Sequence, residues 1–251
     1  MARVPRRKGA AHRAVPMAPT TAAAPEHPPT GRGGRMALGS LLLNVALPLL
    51  AMGLAWGGDP RAFYSSPLRA CAAGLFVLPN LALVLFTTGY GPHASASAES
   101  PWFIATANIM ANGGMLVAIF LDAHGWWRLP GGDGLRPLGL AILALGTALR
   151  VATMVTLGRM FSLRVSVEPD HELVTGGLYR WVRHPSYTAV IVLCIGIMFV
   201  LRSGFWAVLI PAMLFGLMRR MATEERFLVE HFGECYREYM VRTARLVPGV
   251  Y

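Results

Sequence analysis

Long apolar segments follow one another along most of the chain, separated by short polar stretches. Few large apolar side chains precede Met36, and from that residue onward apolar runs begin. Four of the runs have about the 20 residues that a helix needs to cross the hydrocarbon core of a bilayer. They are Met36–Trp56, Leu68–Thr87, Trp102–Leu121 and Pro137–Leu157. This pattern predicts membrane-spanning helices.

Two shorter apolar runs complete the set. They cover Tyr187–Leu201 and Gly204–Met218, and a tight turn over Arg202–Gly204 joins them. Because ~15 helical residues rise only ~22 Å, polar flanks must complete each crossing. The predicted fold class is therefore all-α: a polytopic membrane bundle of about six transmembrane helices that ends in a C-terminal helical hairpin.

The last apolar run continues as an amphipathic helix. No helix breaker follows Met218 until Gly233, so one long helix should carry Glu224 and Glu225 just above the membrane surface. Adjacent residues on a helix point about 100° apart, so at most one of the two carboxylates faces a given site while the other braces it. One such acid suits a cationic ligand, although Arg220 and Glu224 also have the spacing of a simple ion pair on a helix face.

Composition and charge support a membrane protein. The chain is 54% hydrophobic and 14% charged, with a mean hydropathy of +0.47, whereas soluble domains average about 25% charged residues. The net charge of +10 is concentrated in residues 1–35, where Glu26 is the single acid. We expect this segment to be a disordered, Pro/Ala-rich cytoplasmic tail near anionic lipid. A nucleic-acid partner is not expected, because no aromatic residues interleave the basic ones.

The arginines set the orientation of the predicted helices. With the basic tail inside, six crossings return the chain to the cytoplasm and place two Arg-rich segments there, the loop 158–186 and the tail after Met218. Both termini are then cytoplasmic, in agreement with the excess of positive charge on that side of membrane proteins. One inside loop, Thr88–Pro101, has no Arg or Lys. We divide the chain into the tail (1–35), N-terminal transmembrane helices (36–136) and a C-terminal core (137–251).

The cysteines and the single lysine say little about chemistry. Cys71, Cys194 and Cys235 are odd in number and two of them lie in apolar runs, so we expect no disulfide and no metal site. Lys8 is the one lysine among 23 basic residues, which is typical of a GC-rich coding sequence. We therefore predict a bacterial source, and with it a location in the inner (plasma) membrane.

Polar side chains inside the apolar runs need partners. We expect four asparagines to hydrogen-bond between helices, namely Asn44, Asn80, Asn108 and Asn112. Arg150 is more costly to bury. We expect it to extend outward to the membrane surface, with a polar cavity as the alternative.

The densest set of reactive side chains lies between the fourth and fifth runs, in the stretch Gly176–Ala189. It contains Tyr179, Arg180, Arg183, His184 and Tyr187. Pro185 suits the first position of the helix that follows. An interfacial loop of a membrane protein has a similar composition, so these residues alone leave a structural role open.

An ordered series of motifs runs through the region Leu157–Pro248. It consists of LGR (157–159), HELVTGGLYRWVRHPSY (171–187), the Glu224–Glu225 pair and FGECYREYMVR (232–242). With these motifs the region resembles the isoprenylcysteine carboxyl methyltransferase family and, more broadly, the phospholipid methyltransferase-like integral membrane methyltransferases. The first three apolar runs match nothing specific.

The resemblance implies methyl transfer from S-adenosylmethionine in a cytoplasmic cofactor pocket. Carried over by position, the cofactor-binding residues are His171, Leu173, Val174, Gly177, Tyr179, His184, Pro185, Tyr187, Glu224 and Glu225. Arg183 and Arg242 fall where the family places residues that handle the acceptor carboxylate. Ala189 stands where the family often has glycine, so an additional methyl group lies at a point where the family packs closely against the cofactor.

The chemistry of these residue types agrees with methyl transfer from a sulfonium. The reaction is an in-line displacement that needs alignment, no metal and, for an ionised carboxylate acceptor, no strong base. It needs an acid for the cofactor ammonium, aromatic rings for the sulfonium and an arginine for the acceptor. The candidates are Glu224 and Glu225, Tyr179 and Tyr187, and Arg183 and Arg242. For an amine or hydroxyl acceptor, His184 would be the general base.

The sequence leaves the acceptor open. Arg183 and Arg242 favour O-methylation of a lipophilic, isoprenoid-like carboxylate over N-methylation of a phospholipid amine. An NADPH-dependent, sterol-reductase-like membrane enzyme and a non-catalytic scaffold or transporter are the alternatives from other classes. The predicted partners are a lipophilic small molecule or lipid and the membrane, without an obligate protein partner.

Overall fold

The computed structural model of the chain describes residues 45–55, 59–88, 101–158 and 173–249. Within these ranges the regular structure is helical, apart from two isolated β-bridges. The helices are α1 (Leu47–Ala55), α2 (Pro60–Tyr64), α3 (Pro67–Thr88), α4 (Pro101–His124), α5 (Leu135–Leu157), α6 (Pro185–Val200), α7 (Gly204–Phe232) and α8 (Glu234–Arg242), with a 3₁₀ helix at Gly177–Arg180. The all-α fold class is confirmed for the part of the chain that the structure describes.

The helices follow the predicted apolar runs. α3, α4 and α5 contain the second, third and fourth runs, and α6 and α7 contain most of the fifth and all of the sixth. Two of the described helices, α5 and α7, are long and apolar enough to cross a membrane by length and composition. The count of six crossings stays a prediction.

Several predictions fall on residues outside the described ranges. The tail 1–35, the segment 36–44 of the first run, most of the loop Thr88–Pro101 and residues 159–172 of the Arg-rich loop 158–186 all lie there. So does Asn44, and the side chains of Asn108 and Asn112 are likewise not described.

Large apolar side chains are buried in the bundle and are also exposed along two helices. The core includes Trp206, Phe63, Ile119 and Leu143. The exposed side chains include Leu138, Leu145 and Val155 on α5 and Val208 and Phe215 on α7. Rows of exposed apolar side chains of this kind suit a surface that contacts hydrocarbon.

α7 is a single helix of 29 residues, which confirms the long helix predicted to carry the two glutamates. It ends at Gly233, whose φ of 58° is a left-handed conformation that glycine adopts without strain. α8 begins at the next residue. Hydrophobic patterning did not predict α8, because the helix is short and four of its nine residues are charged.

Pro79 lies inside α3 and makes a main-chain carbonyl of that helix available to a donor from a neighbouring helix. Proline has no N–H, so the carbonyl of Leu75, four residues earlier, loses its helical donor. Thr147 of α5 supplies a donor, with its Oγ1 at 3.1 Å from the Leu75 oxygen. Asn80 donates its side-chain amide to the Phe76 carbonyl at 2.8 Å. The acceptor lies in the preceding turn of the same helix, so among the described residues this bond does not support the prediction that Asn80 bonds between helices.

Glycines on both helices bring α5 and α6 into close contact. A Cβ on Gly139 would lie 2.5 Å from the Val200 nitrogen, and a Cβ on Gly196 would lie 2.6 Å from the Leu143 nitrogen. Residue numbers rise along α5 as they fall along α6, so the two helices are antiparallel. Small residues at such contacts let the backbones approach, which is how helices associate where there is no hydrophobic drive between them.

Gly196→Ala should destabilise the protein by about 1–3 kcal/mol, the usual cost of overpacking. The added methyl would meet the backbone of α5, which cannot turn aside as a flexible side chain can. Thermal unfolding in detergent measures the change. The matched control is Gly216→Ala in α7, where nothing lies within 4 Å of the new Cβ and alanine favours the helix by up to about 1 kcal/mol. Equal stability of the two variants would contradict the close packing of α5 on α6.

A buried ion pair joins three helix ends, at the end of the bundle away from the start of α6. Asp122 of α4 is fully buried and accepts hydrogen bonds from Arg136 of α5 at 2.8 and 3.1 Å. Arg136 also donates to the Val200 carbonyl at the end of α6. Asp133, which is 79% exposed, accepts from Arg136 at 3.0 Å and from Arg202 at 3.2 Å. This cluster fixes the ends of α4, α5 and α6 to one another.

Asp122→Ala should lower the free energy of unfolding by about 3–5 kcal/mol, because it leaves Arg136 buried without its main carboxylate. Asp133→Ala removes the exposed partner of the same arginine and should leave the stability close to that of the wild type, because solvent screens an exposed ion pair. Thermal or denaturant unfolding in detergent compares the two. A difference below about 1 kcal/mol between them would show that the buried pair does not carry the expected stability.

Candidate functional site

Most of the predicted site residues that the structure describes lie near the point where the connection after α5 enters α6. The connection forms the 3₁₀ turn Gly177–Arg180 and reaches α6 at Pro185, whose fixed φ and missing N–H suit a first helical position. Gly177 has a φ of 57°, and a Cβ there would lie 3.1 Å from Cγ2 of Thr156. Glycine therefore lets the turn pack on the end of α5.

The segment after α8 pairs with this connection through its main chain. The Arg183 N–H donates to the Ala244 carbonyl at 2.8 Å, and the Ala244 N–H donates to the Trp181 carbonyl at 3.1 Å. Next to them, the His184 N–H donates to the Arg245 carbonyl at 3.1 Å. Residues distant in sequence thus fix the backbone that carries the predicted site.

Two side-chain bonds reinforce this pairing. Tyr239 of α8 donates its hydroxyl to the Tyr179 carbonyl at 2.6 Å, and Thr188 of α6 donates to the Leu246 carbonyl at 2.8 Å. Burial raises the pKa of Tyr239 to about 12. The phenol is therefore a neutral donor at physiological pH, and α8 is fixed to the connection.

Glu225 of α7 is the centre of a buried charged group. Its carboxylate is only 4% exposed, and Oε1 accepts from Nε of Arg183 and Nε of Arg245, both at 3.0 Å. Nε2 of His184 lies 3.3 Å from the same oxygen. Burial raises the pKa of this carboxyl, but the bonds from His184 and the two arginines outweigh burial and hold the pKa below its ordinary value. Glu225 lies beyond the apolar part of α7, and it is ionised.

Arg183 is bound on several sides. Besides Glu225, it donates to the Met240 carbonyl at 2.7 Å and to the Thr243 carbonyl. These carbonyls lie at the end of α8, where a cation is favoured by the helix dipole. Arg183 therefore connects α7 to the end of α8.

Glu224, one residue earlier, faces a different environment. Its side chain is 26% exposed, and Oε2 accepts from the Tyr187 hydroxyl at 2.7 Å. The same hydroxyl accepts from Nε of Arg220 at 2.6 Å, and the Arg220 guanidinium lies 5.6 Å from the centroid of the Tyr187 ring. The two glutamates point apart, as helix geometry requires. Glu224 is the one of the pair that a ligand can reach.

His184 lies between the two glutamates. The residue is buried, with Nε2 at 3.3 Å from Glu225 and Nδ1 at 3.9 Å from Glu224. Its ring stacks on Tyr187, with centroids 5.5 Å apart and an angle of 26° between the planes. His184, Tyr187 and Glu224 therefore form one contiguous group at the start of α6, and Glu225 supports it from the buried side.

Arg150 of α5 reaches the same group from the neighbouring helix. It donates to the side-chain oxygen of Ser186, and to the Ser186 carbonyl at 3.4 Å. Arg150 is thus directed to polar partners between helices, and the expectation that it extends to the membrane surface is not supported.

Other residues predicted to line the site lie along the connection and the first turns of α6. Leu173 and Val174 are half-buried, and Pro185 is buried. Ala189 is completely buried, so its methyl group is already accommodated by the packing around α6. His171 lies outside the described residues.

One predicted residue lies apart from this group, and three contributors were missed. Arg242 is exposed on α8 and donates to the Glu238 carbonyl one turn earlier. The missed residues are Arg150, Arg220 and Arg245. A charge inside an apolar run is the signal that marks Arg150, and spacing to the glutamate pair marks Arg220. Nothing in the sequence marks Arg245.

Comparison with known proteins finds a family model that matches part of the chain. Residues 139–230 match the model of the isoprenylcysteine carboxyl methyltransferase (ICMT) family. The human protein-S-isoprenylcysteine O-methyltransferase is 28% identical over 269 residues, covering 88% of this chain and 95% of the human protein. The resemblance to this family is confirmed. The region that matches the ICMT model contains His184, Tyr187, Glu224 and Glu225.

Two further relatives match over a shorter region. The protein-S-isoprenylcysteine O-methyltransferase of Schizosaccharomyces pombe is 36% identical over 112 residues, 43% of this chain and 48% of that protein. Protein-S-isoprenylcysteine O-methyltransferase A of Arabidopsis thaliana is 33% identical over 128 residues, 50% of this chain and 61% of that protein. The chain thus spans about half to three fifths of the length of these curated relatives. These relatives are eukaryotic, so they do not support the bacterial source predicted from composition.

A solved structure has a similar fold. It is described as the eukaryotic intramembrane Ras methyltransferase ICMT. The two structures superpose with a TM-score of 0.52 at 22% sequence identity, and the match covers 87% of this chain and 83% of the solved chain. At this level of identity the likeness concerns the fold. The helical fold of this chain is therefore similar to that of the solved structure.

Proposed function

We propose that this chain is an integral membrane methyltransferase that uses S-adenosylmethionine to methylate the carboxylate of a lipophilic acceptor. The observation that carries the proposal is the partly exposed Glu224 carboxylate, bound to Tyr187 and adjacent to His184 within the region that matches the ICMT family. The relatives are named as O-methyltransferases, and the similar structure is described as intramembrane. The exposed apolar side chains of α5 and α7 support the membrane location.

The residues at the start of α6 fit the charges of S-adenosylmethionine, which has an ammonium, a carboxylate and a sulfonium. Glu224 offers a carboxylate that is 26% exposed and would bind the ammonium. Tyr187 offers an aromatic ring beside it, which attracts a cationic sulfur. When bound, the cofactor would supply an activated methyl group.

We assign different roles to the two glutamates. Glu225 already binds two arginines and lies against His184, so it would orient His184 and leave the ammonium to Glu224. The remaining residues predicted for the cofactor keep their assignment as walls of the site. They are His171, Leu173, Val174, Gly177, Tyr179, His184, Pro185 and Tyr187. The main chain around Tyr179 and His184 is fixed by the segment after α8, which lowers the ordering cost of binding.

Arg220 and Arg150 are the proposed contacts of the acceptor carboxylate. Arg220 bonds the Tyr187 hydroxyl at 2.6 Å, and Arg150 bonds Ser186, the residue that precedes Tyr187. Two guanidiniums beside one tyrosine create a positive potential next to the acid that would bind the cofactor. Guanidinium groups match the geometry of a carboxylate through paired hydrogen bonds.

Arg183 and Arg242 remain the sequence-based candidates for the same contact. Arg183 is bound to Glu225 and to two carbonyls of α8, and Arg242 lies on the exposed side of that helix. These surroundings favour Arg220 and Arg150. Comparing substitutions of Arg220 and Arg242 decides between the two assignments.

Methyl transfer at this site would depend on alignment. A carboxylate acceptor is ionised at neutral pH, so no side chain has to remove a proton. Holding two reacting groups in the right geometry can contribute about 7–11 kcal/mol. The arginines would hold the acceptor, and the stacking of Tyr187 on His184 would fix the aromatic wall beside the reacting carbon.

The names of the relatives suggest an S-isoprenylated cysteine as the acceptor class. Such a molecule combines a long hydrocarbon chain with a carboxylate. α7 offers both environments, with Val208 and Phe215 more than half exposed along its apolar part and Arg220 at its polar end. The hydrocarbon would lie in the membrane beside α7 while the carboxylate reaches the arginines.

Transfer of a labelled methyl group tests the proposal. Purified protein is given S-adenosylmethionine labelled in its methyl group and an N-acetylated S-farnesylcysteine, with N-acetylcysteine as the control substrate. We expect the farnesylated substrate, and not the control, to give a labelled product. Because this product would be a methyl ester, base hydrolysis should release its label as methanol. Base-stable label in phospholipid would indicate N-methylation, and consumption of NADPH without label would indicate a reductase. Either result would contradict the proposed reaction.

A further inference from the structure

Arg245 lies in the segment after α8 and contacts the candidate site twice. Its Nε donates to the two oxygens of Glu225 at 3.0 and 3.1 Å, and its Nη2 also bonds Oε2. Its carbonyl oxygen accepts the main-chain N–H of His184 at 3.1 Å. One residue therefore binds both the peptide of His184 and the carboxylate beside the His184 ring.

These contacts continue into the accessible part of the site. Glu225 lies 3.3 Å from Nε2 of His184. The other ring nitrogen faces Glu224 at 3.9 Å, and the ring stacks on Tyr187. A shift of Glu225 would therefore displace His184, and with it the two groups proposed to bind the cofactor.

The chemistry of arginine suits this position. Its fork of N–H groups fixes the orientation of a carboxylate as well as balancing its charge. A lysine would supply the charge from a single flexible ammonium. The Glu225 carboxylate is almost completely buried, so solvent screens the interaction weakly.

We propose that Arg245 is a positioning residue of the methyl-transfer site, which it aligns through Glu225 and His184. The proposal rests on the proposed function, because it assigns Arg245 to the reaction that the site would perform. Among the described residues, Arg245 contacts the Glu225 carboxylate and the main chain of His184, and its effect would pass through these two groups.

Arg245→Met tests the proposal, because it removes the charge and the fork but keeps an unbranched side chain. The matched control is Arg237→Met, since Arg237 is exposed on α8 and pairs with Glu234 of the same helix. We expect Arg245→Met to weaken S-adenosylmethionine binding about tenfold, which is the effect of one charge-assisted hydrogen bond, here that of Arg245 to Glu225. We also expect kcat to fall about 100-fold, because the reacting groups would be misaligned. Arg245→Lys should recover part of the binding and little of the kcat.

Hydrogen–deuterium exchange distinguishes positioning from other roles. Exchange of main-chain amides in residues 179–188 should rise in Arg245→Met and stay at the wild-type level in Arg237→Met, because this segment is bonded to the segment around Arg245. The exchange measurement needs no cofactor. Failure of the wild type to bind S-adenosylmethionine would therefore count against the proposed function, while the exchange result still tests the alignment.

Two outcomes would overturn the proposal. The first is Arg245→Met protein whose binding and kcat lie within about twofold of Arg237→Met. The second is lost activity with unchanged exchange in residues 179–188, which would mean that Arg245 acts on a ligand directly. Thermal unfolding checks that each variant is folded, and if Arg245→Met is not, the same comparison is made with Arg245→Lys.

Discussion

Glu225→Ala is expected to lower the free energy of unfolding by about 3–5 kcal/mol and to abolish methyl transfer. Arg183 and Arg245 both bind this carboxylate, and His184 lies against it. Removing one partner of a buried ion pair costs more than the intact pair contributes, because the remaining charge stays out of water. Both arginines donate to this one carboxylate, so the loss of stability should be large. The substitution should also remove the contact that orients the His184 ring.

Glu230→Ala is the matched control for this substitution. Glu230 lies on the same helix and is exposed, so its loss should change stability by no more than about 0.5 kcal/mol. Thermal unfolding in detergent gives the stability of both variants, and the labelled-methyl assay gives their activity. Unfolding of Glu225→Ala at the wild-type temperature would contradict the buried network.

Arg220→Met is expected to lower kcat/KM for the acceptor about 100-fold, which is the effect of losing one or two hydrogen bonds to a charged group. Arg220 bonds the Tyr187 hydroxyl beside Glu224 and would bind the acceptor carboxylate there. Binding of S-adenosylmethionine should change little, because Tyr187 keeps its own bond to Glu224. The effect should therefore appear in the kinetics of the acceptor and not in the affinity for the cofactor.

The adjacent residue supplies the control for Arg220. Arg219 is exposed and lies near Phe215 on another side of α7, so Arg219→Met should retain wild-type kinetics. Arg242→Met should also retain most of its activity, because Arg242 bonds only the Glu238 carbonyl among the described residues. A larger loss in Arg242→Met than in Arg220→Met would restore the assignment made from the sequence.

Sequence patterns predicted the elements whose cause is local. The unbroken run after Met218 and the glycine at 233 predicted α7 with its correct end. The same helix geometry predicted that Glu224 and Glu225 would face different surroundings, and the structure shows one partly exposed and one buried. The spacing of apolar residues and the positions of helix-breaking residues were sufficient to predict these features, because the features depend on residues that are neighbours along the chain.

Contacts between distant segments could not be predicted in this way. The bond of Arg245 to Glu225 depends on the path of the chain through α8, and no pattern along the sequence relates the two residues. Asn80 was expected to bond another helix, but the carbonyl of Phe76 in its own helix is its acceptor. For Arg150, the sequence marked an unusual charge but not the direction of its side chain, which the position of Ser186 decides.

Binding of S-adenosylmethionine to the detergent-solubilised protein, measured by calorimetry beside Glu224→Gln, tests the central claim most directly. We expect a Kd of about 1–100 µM for the wild type, weakened about 10- to 100-fold by the substitution, because the ammonium would lose its charge-assisted bond to Glu224. Thermal unfolding of Glu224→Gln at the wild-type temperature shows that the site is otherwise intact, and NADPH serves as the control ligand. Binding of NADPH in place of S-adenosylmethionine, or equal affinity of the wild type and Glu224→Gln, would contradict the account.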